Sequence, residues 1–392
     1  MNDYSKIAPW GDLVGIRPVK RVVNMLENGL DEQTVRKILK EEYSVSDKKI
    51  KLALDIAKTE MEVIQKIPQK TVSLYIDIPF CPSKCVYCSF ASMPVSEMKN
   101  FVEPYLNALY LELDTIYKII TDLDLHVVSV YIGGGTPTSI LSLELDNLLY
   151  KITNTFDLSK CLEFTIEAGR PDTITESKLD VMKKYGVDRI SINPQTMNDE
   201  TLKIIGRKHS VKQIYDAFAL AQNYDFKCIN MDVIAGLPKE TVSDFRYTID
   251  AITDLNPENI TVHTMSIKRA AKLNHDQDFA SLPGSYDVDA MVDYAHEKLS
   301  FCGFSPYYLY RQKNILGNLE NTGFFRDETQ GIYNICMMEE IRTVVSAGVG
   351  AVSKLVRGDL IERIFNVKDV REYLNRAEEM RKRKDYIYEF YK

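Results

Sequence analysis

The sequence predicts an α/β protein. Its centre is an incomplete (β/α)6 barrel, set between a small helical N-terminal region and a mixed α/β C-terminal region. Three observations predict this. Short apolar runs rich in Val and Ile recur between residues 71 and 266, each separated by helical text, which implies a parallel sheet with right-handed crossovers. The runs number six rather than eight, so the barrel is expected to stay open. The residues just behind them are cysteines, glycines, carboxylates and amides, the types that bind ligands beyond the C-terminal ends of parallel strands.

A chain of 392 residues is long for one core. Three parts are expected: a helical region over 1–69, the partial barrel over 70–270 and a substrate-covering domain over 271–392. With 45% hydrophobic and 27% charged residues the composition is that of an ordinary folded, soluble protein. No apolar run approaches a membrane span, and Met1-Asn2-Asp3-Tyr4 opens no signal-peptide core. Lys plus Arg number 49 against 56 acidic residues, so the net charge of −7 leaves no electrostatic footprint for nucleic acid. Seven cysteines without secretory features point to the cytoplasm.

In chain order, apolar residues at three- and four-residue steps predict helices over 24–39 and 48–67, the second through Ile50, Leu54, Ile56, Met61 and Ile64. Pro9-Trp10-Gly11 and Gly15-Ile16-Arg17-Pro18 punctuate the loop before them, and Trp10, the only tryptophan, is expected to pack. Strands are expected at 74–78, 127–132, 162–168, 189–193, 228–234 and 260–266. Helices are expected at 101–119 and 143–152, and Thr173-Ile174-Thr175-Glu176 has the capping-box pattern that opens another. Beyond 270 the sequence reads as a loop near 274–284, a helix over 288–299, a strand over 307–312, a core helix starting at Met337-Met338, and a charged helix over 369–384. The basic stretch Arg381-Lys382-Arg383-Lys384 is expected to be solvated.

Directly behind the first strand lies Cys81-Pro82-Ser83-Lys84-Cys85-Val86-Tyr87-Cys88, with Cys-x3-Cys-x2-Cys spacing. Soft thiolates in a short loop suit iron–sulfur chemistry. A zinc site would need a fourth ligand, and no second cysteine pair or nearby histidine supplies one. A disulfide would leave an odd thiol. Three thiolates on a cubane cluster leave one iron open to chelate S-adenosylmethionine and pass it an electron, breaking a carbon–sulfur bond to give a 5′-deoxyadenosyl radical. The protein then only positions that reactivity. Cys161, Cys228, Cys302 and Cys336 stand singly among apolar residues and are expected in the core. Gly133-Gly134-Gly135-Thr136-Pro137-Thr138 comes after the second strand, where bare backbone permits close approach. Glu167 ends the third strand, Asn193-Pro194-Gln195 the fourth, and Asp232 rides on the fifth.

Tyr75-Ile76-Asp77-Ile78-Pro79-Phe80-Cys81, the cysteine triplet, Gly133–Thr138 and Asp232-Val233-Ile234-Ala235-Gly236-Leu237-Pro238 resemble radical S-adenosylmethionine enzymes of the oxygen-independent coproporphyrinogen III oxidase (coproporphyrinogen dehydrogenase) family. The likeness runs over about 71–270. Pro9-Trp10-Gly11, Tyr307–Asn314, Tyr333–Glu340 and Gly348–Lys354 extend it toward the HemZ-type branch, which usually has a longer N-terminus. The resemblance implies that Cys81, Cys85 and Cys88 ligate a [4Fe–4S] cluster. It implies that Tyr75 and Tyr87 lie beside S-adenosylmethionine, and that Gly134, Gly135 and Thr136 hold its methionyl part. Glu167, Gln195, Arg207 and Asp232 match further cofactor contacts, and Ser266 and Val352 occupy two more places with changed side chains. One departure stands out: where the oxidases carry a cysteine two places after the third ligand, this chain has Ser89-Phe90, an ending similar to that of haem-chaperone relatives.

The resemblance implies oxidative decarboxylation of coproporphyrinogen III to protoporphyrinogen IX, with a low-potential donor such as flavodoxin or ferredoxin. Haem carriage and radical processing of haem are the two other readings. Tyr307, Tyr308 and Tyr310 with Arg311 and Lys313 could face a flat, carboxylated macrocycle, or they could form an ordinary edge strand.

Overall fold

The structure is a computed structural model that describes residues 9–13, 15–267 and 282–392. The loop expected near 274–284 lies largely outside the described residues. Eleven strands form one sheet. In chain order they are β1 (Thr71–Ile78), β2 (His126–Gly134), β3 (Glu163–Glu167), β4 (Arg189–Ser191), β5 (Cys228–Ala235), β6 (Asn259–Thr264), β7 (Ser305–Tyr310), β8 (Asn321–Phe325), β9 (Thr343–Ala347), β10 (Val352–Arg357) and β11 (Leu360–Phe365). Their spatial order is β11-β10-β9-β1-β2-β3-β4-β5-β6-β8-β7. The six expected strands are β1 to β6, adjacent and parallel throughout. Val72, Leu74, Ile76 and Ile78 are fully buried, as is Ser73 on the opposite face. That two-sided burial explains why the run is nearly continuous in apolar residues instead of alternating.

The sheet is larger than the sequence predicts. β9 adds a seventh parallel strand beside β1, in register from Val72 with Thr343 to Ile76 with Ala347. β10 and β11 continue that edge antiparallel, while β8 and β7 continue the other edge beyond β6. The sheet therefore crosses residue 270. Gly323 on β8 makes room for this: a Cβ there would lie 1.9 Å from the Tyr308 ring of β7, so the bare glycine lets the aromatic ring lie across it.

Local chemistry moved several element boundaries. The helix expected over 24–39 is two helices, Pro18–Glu27 and Glu32–Glu41. Pro18 opens the first, and the Asp31 carboxylate accepts from the Thr34 N–H at 2.8 Å to cap the second. Thr175, not Thr173, caps the helix Glu176–Lys184; Thr173 instead hydrogen-bonds Thr138. Met337 and Met338 end a helix, Ile332–Glu339, rather than begin one. The chain closes with three short helices, Val370–Asn375, Ala377–Arg383 and Tyr386–Tyr391. Cys302 is exposed, contrary to its expected core position, whereas Cys228 and Cys336 are buried. Trp10 is buried as expected, and its indole N–H donates to Glu320 at 2.7 Å.

Lys384 is the clearest reversal. It is fully buried, with Nζ 3.2 Å from Glu112 Oε1 on the long helix Val95–Asp122. Glu112 also accepts from the Tyr373 hydroxyl, the Asn366 amide and the Gly348 N–H. Removing one member of such a pair strands the other charge. Lys384→Ala is therefore expected to cost about 3–5 kcal/mol of stability, read as a lowered midpoint in denaturant unfolding.

Candidate functional site

Parallel strands end at one rim, and here that rim surrounds a cavity of about 570 Å³. Every residue that the resemblance sets at the cluster or S-adenosylmethionine lines it: Cys81, Cys85 and Cys88; Tyr75 and Tyr87; Gly134, Gly135 and Thr136; Glu167, Gln195, Arg207 and Asp232; and Ser266 and Val352. Strand register brings many of them together. Tyr75 of β1 stands opposite Tyr131 of β2, and Glu167 opposite Ser191.

The glycine run does more than leave space. The Gly135 N–H donates to Ile78 O at 2.8 Å and the Thr136 N–H to Phe80 O at 2.7 Å, so these amides anchor the cysteine loop. Gly134 adopts φ of 100°, and a Cβ there would stand 2.2 Å from Asp77 Oδ2. No side chain fits. The Thr136 hydroxyl lies 3.5 Å from Cys81 Sγ. On its other side the loop is held by the Val86 N–H on Ile205 O at 3.1 Å and the Ser83 hydroxyl on Gly206 O at 2.9 Å.

The cavity floor is acidic and phenolic. Tyr131 and Tyr333 stack at 4.3 Å between ring centroids, with Tyr75 about 6 Å from both. The Tyr131 hydroxyl donates to Glu167 at 2.5 Å and the Tyr75 hydroxyl to Asp77 at 3.1 Å. Burial pushes Glu167 up to about 7 and Asp77 well above the usual carboxylate range. Asp232 is different. Burial opposes its ionisation, but hydrogen bonds from His263, Asn230 and Thr261 outweigh it and hold the carboxyl below its ordinary value. His263 in turn lies 3.4 Å from the Tyr310 hydroxyl.

Several polar atoms are buried without a protein partner: Ser191 Oγ, Asn193 Oδ1 and Gln195 Oε1. They sit two residues apart, and all three face the cavity. Such orphans are costly unless a ligand or an ordered water completes them. The three cysteines are free thiols. Burial raises Cys81 to about 11 and Cys88 above its ordinary range, so the thiolate form needs a bound cation. Among the described residues no three His, Cys, Asp or Glu side chains converge on a single ion. Cys81, Cys85 and Cys88 all line the cavity, a donor set that fits a cubane, which would take one iron to each of three thiolates.

The radical SAM superfamily model matches residues 75–252. The oxygen-independent coproporphyrinogen-III oxidase-like protein HemZ of Bacillus subtilis is 41% identical over 374 residues, covering 94% of this chain and 75% of that protein. The chain belongs to the radical SAM family related to coproporphyrinogen III oxidase. Oxygen-independent coproporphyrinogen III oxidase of Salmonella typhimurium is 25% identical over 81% of this chain and 68% of its own length. Heme chaperone HemW of Bacillus subtilis is 34% identical over half of this chain and 51% of its own length. The solved structure of coproporphyrinogen III oxidase (HemN) from Escherichia coli shares the fold, with a TM-score of 0.64 at 22% identity over 82% of this chain and 72% of that one. The cofactors of this radical SAM protein are accordingly a [4Fe–4S] cluster and S-adenosylmethionine. No helix among the described residues is long and apolar enough to cross a membrane.

Sequence reasoning missed Tyr131, Tyr333, Asn230, His263, Arg170 and the methionines Met337 and Met338, all of which line the cavity. Alternation along a strand carries part of the signal: Tyr131 is two residues before Gly133, and Asn230 two before Asp232. Tyr333 and the methionines had no such signal. Of the aromatic strand, Tyr308 and Tyr310 face the cavity. Arg311 does not reach it; its guanidinium donates to Leu13 O at 2.6 Å and lies 5.9 Å from the Trp10 ring. That basic residue is structural, a correction to the reading that set it against a carboxylated ligand.

The folded pKa of Glu167, about 7, stands above its ordinary 4.5. The stability this proton confers is full below 4.5 and is lost as the pH rises through 7. Glu240, raised to about 7 by burial, has the same sign. The stability of the cofactor-free protein against denaturant is expected to fall from about pH 5 to about pH 8, and Glu167→Gln to flatten part of that slope.

Proposed function

We propose that this protein oxidatively decarboxylates propionate side chains of coproporphyrinogen III to give protoporphyrinogen IX. One observation carries the reading: the cysteine loop and the C-terminal segments Tyr308–Tyr310, Tyr333–Met338 and Val352 wall a single cavity. The likeness to an oxidase-like relative spans nearly the whole of this composite. In this reading residues 271–392 cover the substrate. Each propionate would give one β-hydrogen atom to the 5′-deoxyadenosyl radical and lose carbon dioxide and one further electron, taken by an external one-electron acceptor, leaving a vinyl group.

Cys81, Cys85 and Cys88 would hold the cluster through three irons. Gly134, Gly135 and Thr136 would hold the methionyl part of S-adenosylmethionine, while Glu167, Gln195, Arg207 and Asp232, with Tyr75, Tyr87, Ser266 and Val352, would hold the remainder. The orphaned Gln195 Oε1 supports this assignment. Together the bound cofactors supply a carbon radical by one-electron reductive cleavage. The chain's own task is to exclude water and keep the substrate β-carbon beside that radical. A cytoplasmic setting and a flavodoxin or ferredoxin donor go with this chemistry.

Phe90 favours a second reading, a haem carrier. It lies two places after the third cysteine, lines the cavity mouth and is 63% exposed, an apolar face offered to a flat macrocycle. An anaerobic assay separates the two. Reconstituted protein with reductant, S-adenosylmethionine and coproporphyrinogen III is expected to yield 5′-deoxyadenosine and a tetrapyrrole lighter by two carboxyl groups, both read by mass spectrometry. Unchanged tetrapyrrole with stoichiometric haem capture would establish the carrier instead. Cys85→Ala is expected to abolish cluster loading and all cleavage, and an active, iron-loaded variant would contradict the ligand assignment.

A further inference from the structure

Arg170 carries no signal in the sequence, yet it touches the cysteine loop at several atoms. It lies three residues beyond β3 and is 2% exposed. One guanidinium nitrogen, Nη1, lies 3.3 Å from Ser83 O and 3.9 Å from Cys85 Sγ, while Nη2 donates to Ser83 Oγ at 3.2 Å. Its Nε lies 3.4 Å from Asp172 Oδ1, and that same carboxylate oxygen is 3.4 Å from His209 Nδ1. Asp172 is therefore divided between two groups. The planar fork of Arg170 aims the remainder of its charge at the loop.

A buried guanidinium needs a counter-charge. A cubane of ordinary oxidation state with three thiolates carries one net negative unit, and reduction makes it two. Hydrogen bonds to cluster sulfurs and nearby positive charge favour the reduced state, and they act strongly where water is excluded. Arginine suits this place because it stays protonated and its fork contacts two residues of one loop at once.

We propose that Arg170 is a positioning residue for the cluster: it fixes the Ser83–Cys85 segment and, by donating to the Cys85 sulfur, raises the reduction potential of the cluster. The inference rests on the cluster alone and not on which tetrapyrrole is bound. A less negative cluster is easier for a donor to reduce.

The test is an EPR-monitored redox titration of reconstituted protein without tetrapyrrole or S-adenosylmethionine, with iron and sulfide counted in each sample. Arg170→Gln is expected to shift the midpoint potential downward and Arg170→Lys to restore most of it. Lys84→Gln removes an exposed charge from the same loop, where solvent screens it, and is expected to leave the potential in place. Loss of the fork in either Arg170 variant is expected to speed iron removal by a chelator about 10-fold, a typical effect of deleting an outer-shell partner. Arg170→Gln with an unchanged midpoint would overturn the proposal, as would an equal shift in Lys84→Gln. Should Arg170→Gln fail to load iron, Arg170→Lys decides. A parent-like potential with faster iron loss supports the assignment, and a displaced potential with parent-like iron retention sinks it. Cluster-free parent protein would contradict the iron–sulfur assignment itself, which keeps the two failures distinct.

Discussion

Two backbone hydrogen bonds tie the chemistry to the fold: Gly135 N–H to Ile78 O and Thr136 N–H to Phe80 O. They join the end of β1 to the end of β2 just where the cysteine loop leaves the sheet. Without them the loop would be held mainly from its far side, by Val86 on Ile205, Ser83 on Gly206 and the Arg170 fork. The close approach requires glycine: a Cβ on Gly135 would stand 2.6 Å from Phe80 O, backbone that cannot yield. Parallel pairing of β1 with β2 sets the register, and the glycine run then converts register into loop position.

From that joint outward, the site obeys the alternation of the strands. β1 to β5 each send polar side chains to one rim, and the order of charge across the floor results from burial. Asp77 and Glu167 are pushed toward the protonated form because burial outweighs the hydrogen bonds that reach them, while His263 and two neutral donors tip Asp232 toward the ionised form. Arg170 and Arg207 sit at the opposite side, against the cysteine loop. The cavity thus has a cationic wall beside the sulfurs and a neutral-to-acidic floor under the remaining space. That polarity suits a cluster that gains negative charge and a sulfonium that carries positive charge.

The six parallel strands and the cavity-lining residues just behind them were legible because both rest on local signals, apolar runs and the polar or glycine residues that follow; Tyr131, Asn230 and His263, set within the strands, were not. The terminal regions were not. Lys384 looks like surface in the string Arg381-Lys382-Arg383-Lys384, and only the distant carboxylate of Glu112 makes it core. β9 is a short run, Thr343-Val344-Val345-Ser346-Ala347, that any loop could hold, and its pairing with β1 spans most of the chain. Arg311 fits propionate recognition by type, and only the position of Trp10 and Leu13 shows it to be spent. Residue chemistry names what a group can do; partners distant in sequence decide whether it is free to do it.

Three buried carboxylates show how those distant partners are gathered. Glu112 holds Lys384, Asn366, Tyr373 and the Gly348 N–H. Glu320 holds Trp10 and Lys49, and Glu340 meets Arg17, Lys20, Lys354 and Arg363. Each draws a terminal segment onto the sheet, and each is worth little as isolated energy because desolvation offsets the attraction. Their value lies in specificity, since an unpaired buried carboxylate would penalise every other docking of those segments. The docked segments bring Tyr333, Met337, Met338 and Val352 to the cavity wall. The barrel alone would leave its cysteine loop more open to water; with the C-terminal segment docked, Tyr333, Met337, Met338 and Val352 wall the space that the loop faces. Docking of the C-terminal segment completes the cavity wall, so cofactor binding draws on the stability of that docking and not of the loop alone.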